Sequence, residues 1–185
     1  RSGSGRPGRW VVRAEEDAPS PPNVLVQIDD DPTDYRFPVA VVAGVEFRDL
    51  RLSVRCKPVS GKVDRACGVV FRYADEGNYY IARANSLEGN VRFYAVQNGR
   101  RRQLASFTGP VGGEEWHRLA IEAEGKNVRV FWDGEQVLSV EDATFDAPGR
   151  VGLWTKADSV TYFDDLTVAP LGPESGLSSG NGGSP

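Results

Sequence analysis

The stretch GVVFRYADEGNYYIARANSLEGNVRFYAVQNGRRR, residues 68–102, decides the fold. It reads as three successive strands joined by short turns, with arginine, tyrosine and asparagine alternating against aliphatic residues. Alternation of period two sends one set of side chains into a core and the other onto an open sheet face. The outward set contains Arg83, Asn85, Arg92 and Tyr94, and Arg72 ends the strand before them. Guanidinium forks beside flat rings suit a neutral, polyhydroxylated ligand: rings stack on apolar C–H faces while polar groups bond hydroxyls.

Working outward, the same alternation recurs while helical periodicity is hard to find. Val128 to Val140 is the clearest hairpin, because Asp133-Gly134 supplies the positive φ angles of a tight primed turn. Val128, Val130 and Trp132 then share one side, with Arg129 and Phe131 on the other. Further runs stand at Trp10 to Arg13, Val24 to Ile28, Val39 to Ala43, Arg48 to Cys56, Arg102 to Thr108, Trp116 to Glu124, Gly149 to Thr155 and Ser159 to Ala169. A dozen or so short strands without crossover helices predict an all-β fold, a two-sheet antiparallel jelly-roll sandwich. Residues 10–170 form this single domain. Residues 1–9 read as a flexible N-terminal segment, and residues 171–185 as a disordered Gly/Ser/Pro tail or linker.

A chain of 185 residues can bury a real core. Its net charge of −4 supplies no basic field, so nucleic acid is not an expected partner. The run Arg100-Arg101-Arg102 follows Asn98-Gly99 and reads as a solvated turn. No run of about 18 apolar residues is present, so membrane insertion is not expected. Methionine is absent, which reads as a processed or excised segment whose signal peptide has gone. Cys56 and Cys67 bracket a loop-like stretch and, on adjacent antiparallel strands, would meet at disulfide distance; the alternative is a pair of reduced core thiols.

The phrases SGKVDRACGVVFRY, GNYYIARANSLEGNVRFY, NGRRRQLAS, EWHRLAIEAEG, VRVFWDGEQVL and GRVGLWTKADSVTYFDDL resemble bacterial concanavalin A-like lectin/glucanase domains of the laminin-G or 3-keto-disaccharide-hydrolase type. The resemblance runs from about Val24 to Ala169 and implies a lectin-type sandwich. Related family 16 glycosidases carry a Glu-x-Asp-x-Glu strand, and none occurs in this sequence. The nearest acidic groups, Glu141-Asp142 with Asp146 and Asp164-Asp165, lack that alternation.

Among single residues, His117 reads as a strand-edge histidine beside a packed tryptophan, since no nucleophile motif or second histidine accompanies it. The acidic loops Asp29-Asp30-Asp31 with Asp34, and Asp75-Glu76 with Asn78, could hold a structural calcium ion. No other cofactor is expected. The strongest constellation is Arg72, Arg83, Asn85, Arg92 and Tyr94, with Trp154 as an aromatic platform and Lys156 projecting beside it. The expectation is an extracellular or periplasmic, non-catalytic module that binds carbohydrate on a concave sheet. The alternatives are a glycan-acting hydrolase of the 3-keto-disaccharide type and a laminin-G-like module holding a protein partner.

Overall fold

The computed structural model describes residues 2–172. Its strands are β1 (Ser2–Gly3), β2 (Trp10–Ala14), β3 (Asn23–Gln27), β4 (Arg36–Phe37), β5 (Val39–Val41), β6 (Leu50–Ser60), β7 (Ala66–Asp75) and β8 (Asn78–Asn85). They continue with β9 (Asn90–Gln97), β10 (Arg100–Thr108), β11 (His117–Glu124), β12 (Asn127–Trp132), β13 (Glu135–Glu141), β14 (Arg150–Trp154) and β15 (Val160–Pro170). Among the described residues there is no helix. One sheet has the order β10-β9-β8-β7-β14-β5, the other β13-β12-β11-β6-β15-β3-β2, and β1 pairs with β4 in a small ladder. Every pairing is antiparallel. The chain is an all-β, two-sheet jelly-roll sandwich.

The alternation seen in the sequence builds this arrangement. Tyr80, Ala82 and Ala84 of β8 face the second sheet and join Phe71, Phe93, Leu119, Ile121 and Val130 in the central core. Full burial of each large apolar side chain contributes about 1.5–3 kcal/mol. Tyr79 and Ile81, the intervening residues, lie on the outer face with Val70, Tyr94, Val96, Trp154 and Phe37. The hairpin at Asp133-Gly134 has φ of 49° and 91°, which matches the primed turn its sequence demands.

Four local expectations need correction. The strand expected to stop at Cys56 runs on through Pro58 to Ser60. Proline is tolerated there because β11 pairs with β6 only from Cys56 toward Leu50, leaving that side of Pro58 outside a ladder. Cys56 and Cys67 do form a disulfide, but not across one hairpin. β6 already has β11 and β15 as neighbours and β7 has β8 and β14, so the link joins the two sheets.

The N-terminal segment is not set apart from the fold. Ser2 pairs with Phe37 and is 2% exposed. The buried Arg36 guanidinium is the cause. It donates to the carbonyls of Arg6 (2.6 Å), Pro7 (3.2 Å) and Ala157 (2.5 Å) and to Asp29 Oδ1 (2.8 Å), tying that segment to two loops. Residue 1 and residues 173–185, which hold most of the expected tail, lie outside the described residues. Finally, the arginine run is a solvated turn only in part: Arg100 and Arg102 are exposed, while Arg101 is half-buried. Arg101 lies over the rings of Phe37 (4.9 Å) and Tyr94 (4.5 Å), and Arg102 pairs with Asp142 at 3.2 Å.

Candidate functional site

The outer face of the six-stranded sheet divides into two halves. Phe37 and Ser2 of the small ladder cover the first: Phe37 stacks on Trp154 with ring centroids 5.6 Å apart, and the Tyr79 hydroxyl donates to Ser2 Oγ. The second half is polar. Strand parity on β8 places Arg83 and Asn85 there, and β9 contributes Arg92 and Tyr94, with Arg83 and Arg92 directly opposite each other. Two like charges at facing positions require a counter-charge. The β8–β9 turn supplies it. Glu88 Oε2 accepts from Arg83 Nη2 (2.8 Å), lies 3.0 Å from Arg92 Nη1 and also accepts from Asn90 Nδ2 (3.1 Å). Arg83 Nη1 donates to Asn90 Oδ1, and its Nη2 reaches the Tyr94 hydroxyl at 3.2 Å.

A second ion pair adjoins the first. Lys156 Nζ lies 2.5 Å from Asp34 Oδ1 and 3.0 Å from Asp64 Oδ2, and Asn85 Nδ2 donates to Asp64 Oδ1 at 2.8 Å. Asp64 sits in a short loop organised by Asp158. That carboxylate accepts backbone N–H bonds from Lys62, Val63 and Asp64 at 2.7–3.1 Å. Gly61 makes the tight entry to this loop at φ 146°, where a Cβ would lie 1.8 Å from the Asp64 carbonyl oxygen.

Burial and charge tune these groups against each other. Burial raises the Asp64 pKa, and the charge of Lys156 only partly offsets it. Burial also works against the Lys156 ammonium, yet its hydrogen bond to Asp34 and the charge of Asp64 carry its pKa above the usual value. Glu88 is held below the ordinary carboxylate range: burial opposes its charge, but the Asn90 hydrogen bond and the two guanidiniums outweigh it. At neutral pH the surface therefore offers fixed acceptors and donors side by side. Arg83 Nε is buried without a hydrogen-bond partner among the described residues, which is what a ligand oxygen or a water would satisfy. Glu88, Arg92 and Asp34 form the solvent-exposed edge, with side chains 40%, 30% and 75% exposed.

Of the residues singled out in the sequence, Arg83, Asn85, Arg92, Tyr94 and Lys156 share this region. Arg72 does not. It sits at φ 46°, where the β7–β8 register shifts, and the bulge turns its side chain toward the opposite sheet. There it donates to the carbonyls of Arg48 (2.8 Å), Phe145 (2.8 Å) and Gly125 (2.7 Å). Trp154 lies on the expected face but is fully buried beneath Phe37, so it is not an open platform. His117 stacks on Trp132 and bonds Asp133 at 2.7 Å through Nδ1.

The acidic loops are occupied by protein donors. Asp29 and Asp31 bind Arg36, Thr33 and the Arg6 N–H, and Asp75 caps Gly77 and Asn78. Among the described residues no three His, Cys, Asp or Glu side chains are grouped to hold a metal ion. Sequence reasoning missed Asp64, Glu88 and Asn90. Glu88-Gly89-Asn90 is a turn signal, and a carboxylate placed between two strands bearing facing arginines was the available clue.

No family model matches the chain. A 95-residue segment, 50% of this chain, is 27% identical to a levanase of Bacillus subtilis (strain 168) and spans 13% of that protein. The solved structure of a carbohydrate binding module, CBM66 from Bacillus subtilis, superposes with a TM-score of 0.72 at 20% identity, covering 87% of this chain and 91% of that one. A Bacillus subtilis protein of unknown function with a galectin-like fold superposes at 0.65 and 11% identity, covering 89% and 87%. The chain shares the sandwich fold of these proteins.

Proposed function

We propose that this chain is a non-catalytic carbohydrate-binding module, and that the polar half of the six-stranded sheet's outer face holds a sugar. The observation that carries this reading is the paired network of Glu88 with Arg83 and Arg92, and of Asp64 with Lys156 and Asn85. Sugar hydroxyls both donate and accept, and such a network presents both roles in fixed geometry at low conformational cost. Arg92 and Glu88 meet the ligand first, and Arg83 with Tyr94 forms the floor. The likeness to a carbohydrate binding module and the partial match to a levanase support the reading and put levan first among ligands to try. The Cys56–Cys67 disulfide supports an extracellular or periplasmic location, where such bonds persist.

One feature bears on catalysis: burial raises the Asp64 pKa, the direction in which a general acid is tuned. Its carboxylate is 1% exposed and already held by Lys156 and Asn85, which suits accepting hydrogen bonds better than transferring protons. The experiment is calorimetry of the chain with levan, inulin, xylan and β-glucan, alongside 3-keto glycosides assayed for turnover. Binding without turnover, weakened at least tenfold in Arg92→Ala and Glu88→Gln, is expected. Absence of glycan binding at millimolar sugar, or turnover abolished by Asp64→Asn, would overturn the reading.

A further inference from the structure

The other side of the sandwich carries a polar surface that the sugar network does not use. Part of the seven-stranded sheet's outer face is covered, where Ala18 packs on Val24 and Val26 beside Trp116 and Tyr162. The rest is open. Two troughs of about 270 and 260 Å³ meet there at Arg118. Arg51, Ala120, Glu122 and Phe131 line the first, and Ser53, Arg55, Asp165 and Thr167 the second. Together they cross β12, β11, β6 and β15. The small Ala120 side chain leaves depth. Asp165, at φ 49° where the β15–β6 register shifts, opens the far end. Ser53 Oγ and Thr167 Oγ1 lie 2.9 Å apart in its lining.

The charges here are unequally matched. Glu122 neutralises two arginines, with Arg51 at 2.6 Å and Arg129 at 2.7 Å. Arg55 and Arg118 are left over. They stand directly opposite each other on β6 and β11, an arrangement of like charges that costs free energy unless an anion bridges it. Asp164, opposite Arg55 on β15, accepts the Ser20 N–H at 2.7 Å instead. Among the described residues Arg55 makes no ion pair, and the Arg118 guanidinium reaches only Ser53 Oγ at 3.3 Å. Asp165 lines the same trough and is bonded by the Ser20 hydroxyl. With Asp164 and Glu122, three carboxylates therefore meet the four guanidiniums of Arg51, Arg55, Arg118 and Arg129, a local excess of one positive charge on a chain of net charge −4.

We propose that Arg55 and Arg118 form a second, anion-selective site that takes a carboxylate of an acidic polysaccharide lying along the trough. Guanidinium groups bind carboxylates as planar forks, which favours a uronate over a neutral sugar. The trough is open, the hydroxyls of Ser53 and Thr167 offer bonds to ring hydroxyls, and Phe131 supplies an apolar wall. These features fit an extended glycan better than a compact ion.

The test uses the 185-residue chain with polygalacturonate and its fully methyl-esterified form, in affinity electrophoresis and calorimetry at low salt and at 0.3 M NaCl. The acidic polymer is expected to bind, and its binding to weaken about tenfold or more in Arg55→Gln and Arg118→Gln. Salt should weaken it further, and the esterified polymer should not bind. Glu88→Gln should leave uronate binding unchanged, which separates this site from the proposed sugar network. Equal binding of the esterified polymer, unchanged affinity in both arginine variants, or equal retention by heparin and single-stranded DNA would overturn the proposal.

Discussion

Replacing Lys156 with methionine removes the cation that faces Asp64 and leaves the surrounding packing nearly the same. Asp64 is 1% exposed, and its remaining side-chain partner is Asn85 Nδ2 at 2.8 Å. Breaking one side of a buried ion pair costs about 3–5 kcal/mol, and the retained Asn85 bond places this variant at about 3 kcal/mol. For a chain of this size that corresponds to a fall of about 6–12 °C in Tm. The pH dependence carries the sharper test. Burial already raises the Asp64 pKa, and loss of Lys156 raises it further. A carboxyl with a raised folded-state pKa binds its proton more readily in the folded than in the unfolded chain. Its penalty is therefore full at neutral pH and fades as pH falls through the folded pKa toward about 3.9. Thermal melts of Lys156→Met against the parent should show a smaller difference at pH 5 than at pH 7. Adding Asp64→Asn should recover at least half of the loss and flatten the pH dependence. A penalty that does not change with pH, or a double variant no more stable than Lys156→Met, would refute the buried-pair argument.

Arg72→Gln should destabilise the chain by about 3 kcal/mol, because it strands three part-buried carbonyls, while levan affinity measured below the melting transition stays at the parent value. Cys56→Ala with Cys67→Ala should lower stability in urea titration by about 3 kcal/mol, the loop-entropy value for a closure this short. Gly61→Ala forces the Asp158-bound loop to shift, so the structure should retain its far-ultraviolet spectrum while sugar affinity drops at least tenfold in calorimetry. Glu88 has a lowered folded-state pKa, so its contribution is present above about pH 4.3 and lost as pH falls through that lower value. Sugar binding followed by titration should accordingly hold from pH 7 to pH 5.

The sandwich was legible because period-two alternation and turn residues act over a few positions. β8 and β9 show this: each outward residue sits two places from the next, and the sequence spacing alone puts Arg83, Asn85, Arg92 and Tyr94 on one face. Arg72 defeated that logic by one bulged residue, since a single positive φ exchanges the faces of a strand. The inter-sheet disulfide was misplaced for a related reason. Sequence proximity suggests a hairpin, whereas strand order is decided by which edges remain free.

Alternation and turn chemistry, both local, determined an all-β chain with an outer face rich in guanidinium groups. Tertiary structure alone decided which of those groups were brought together. It buried Trp154 under Phe37, drew the N-terminal segment onto the sheet through Arg36, and brought Asp64, Glu88 and Asp34 to the arginines and Lys156. The physical reason is that a counter-charge is chosen by proximity in space after folding. Asp34 and Lys156 lie 122 positions apart along the chain, and no periodicity in the sequence links them.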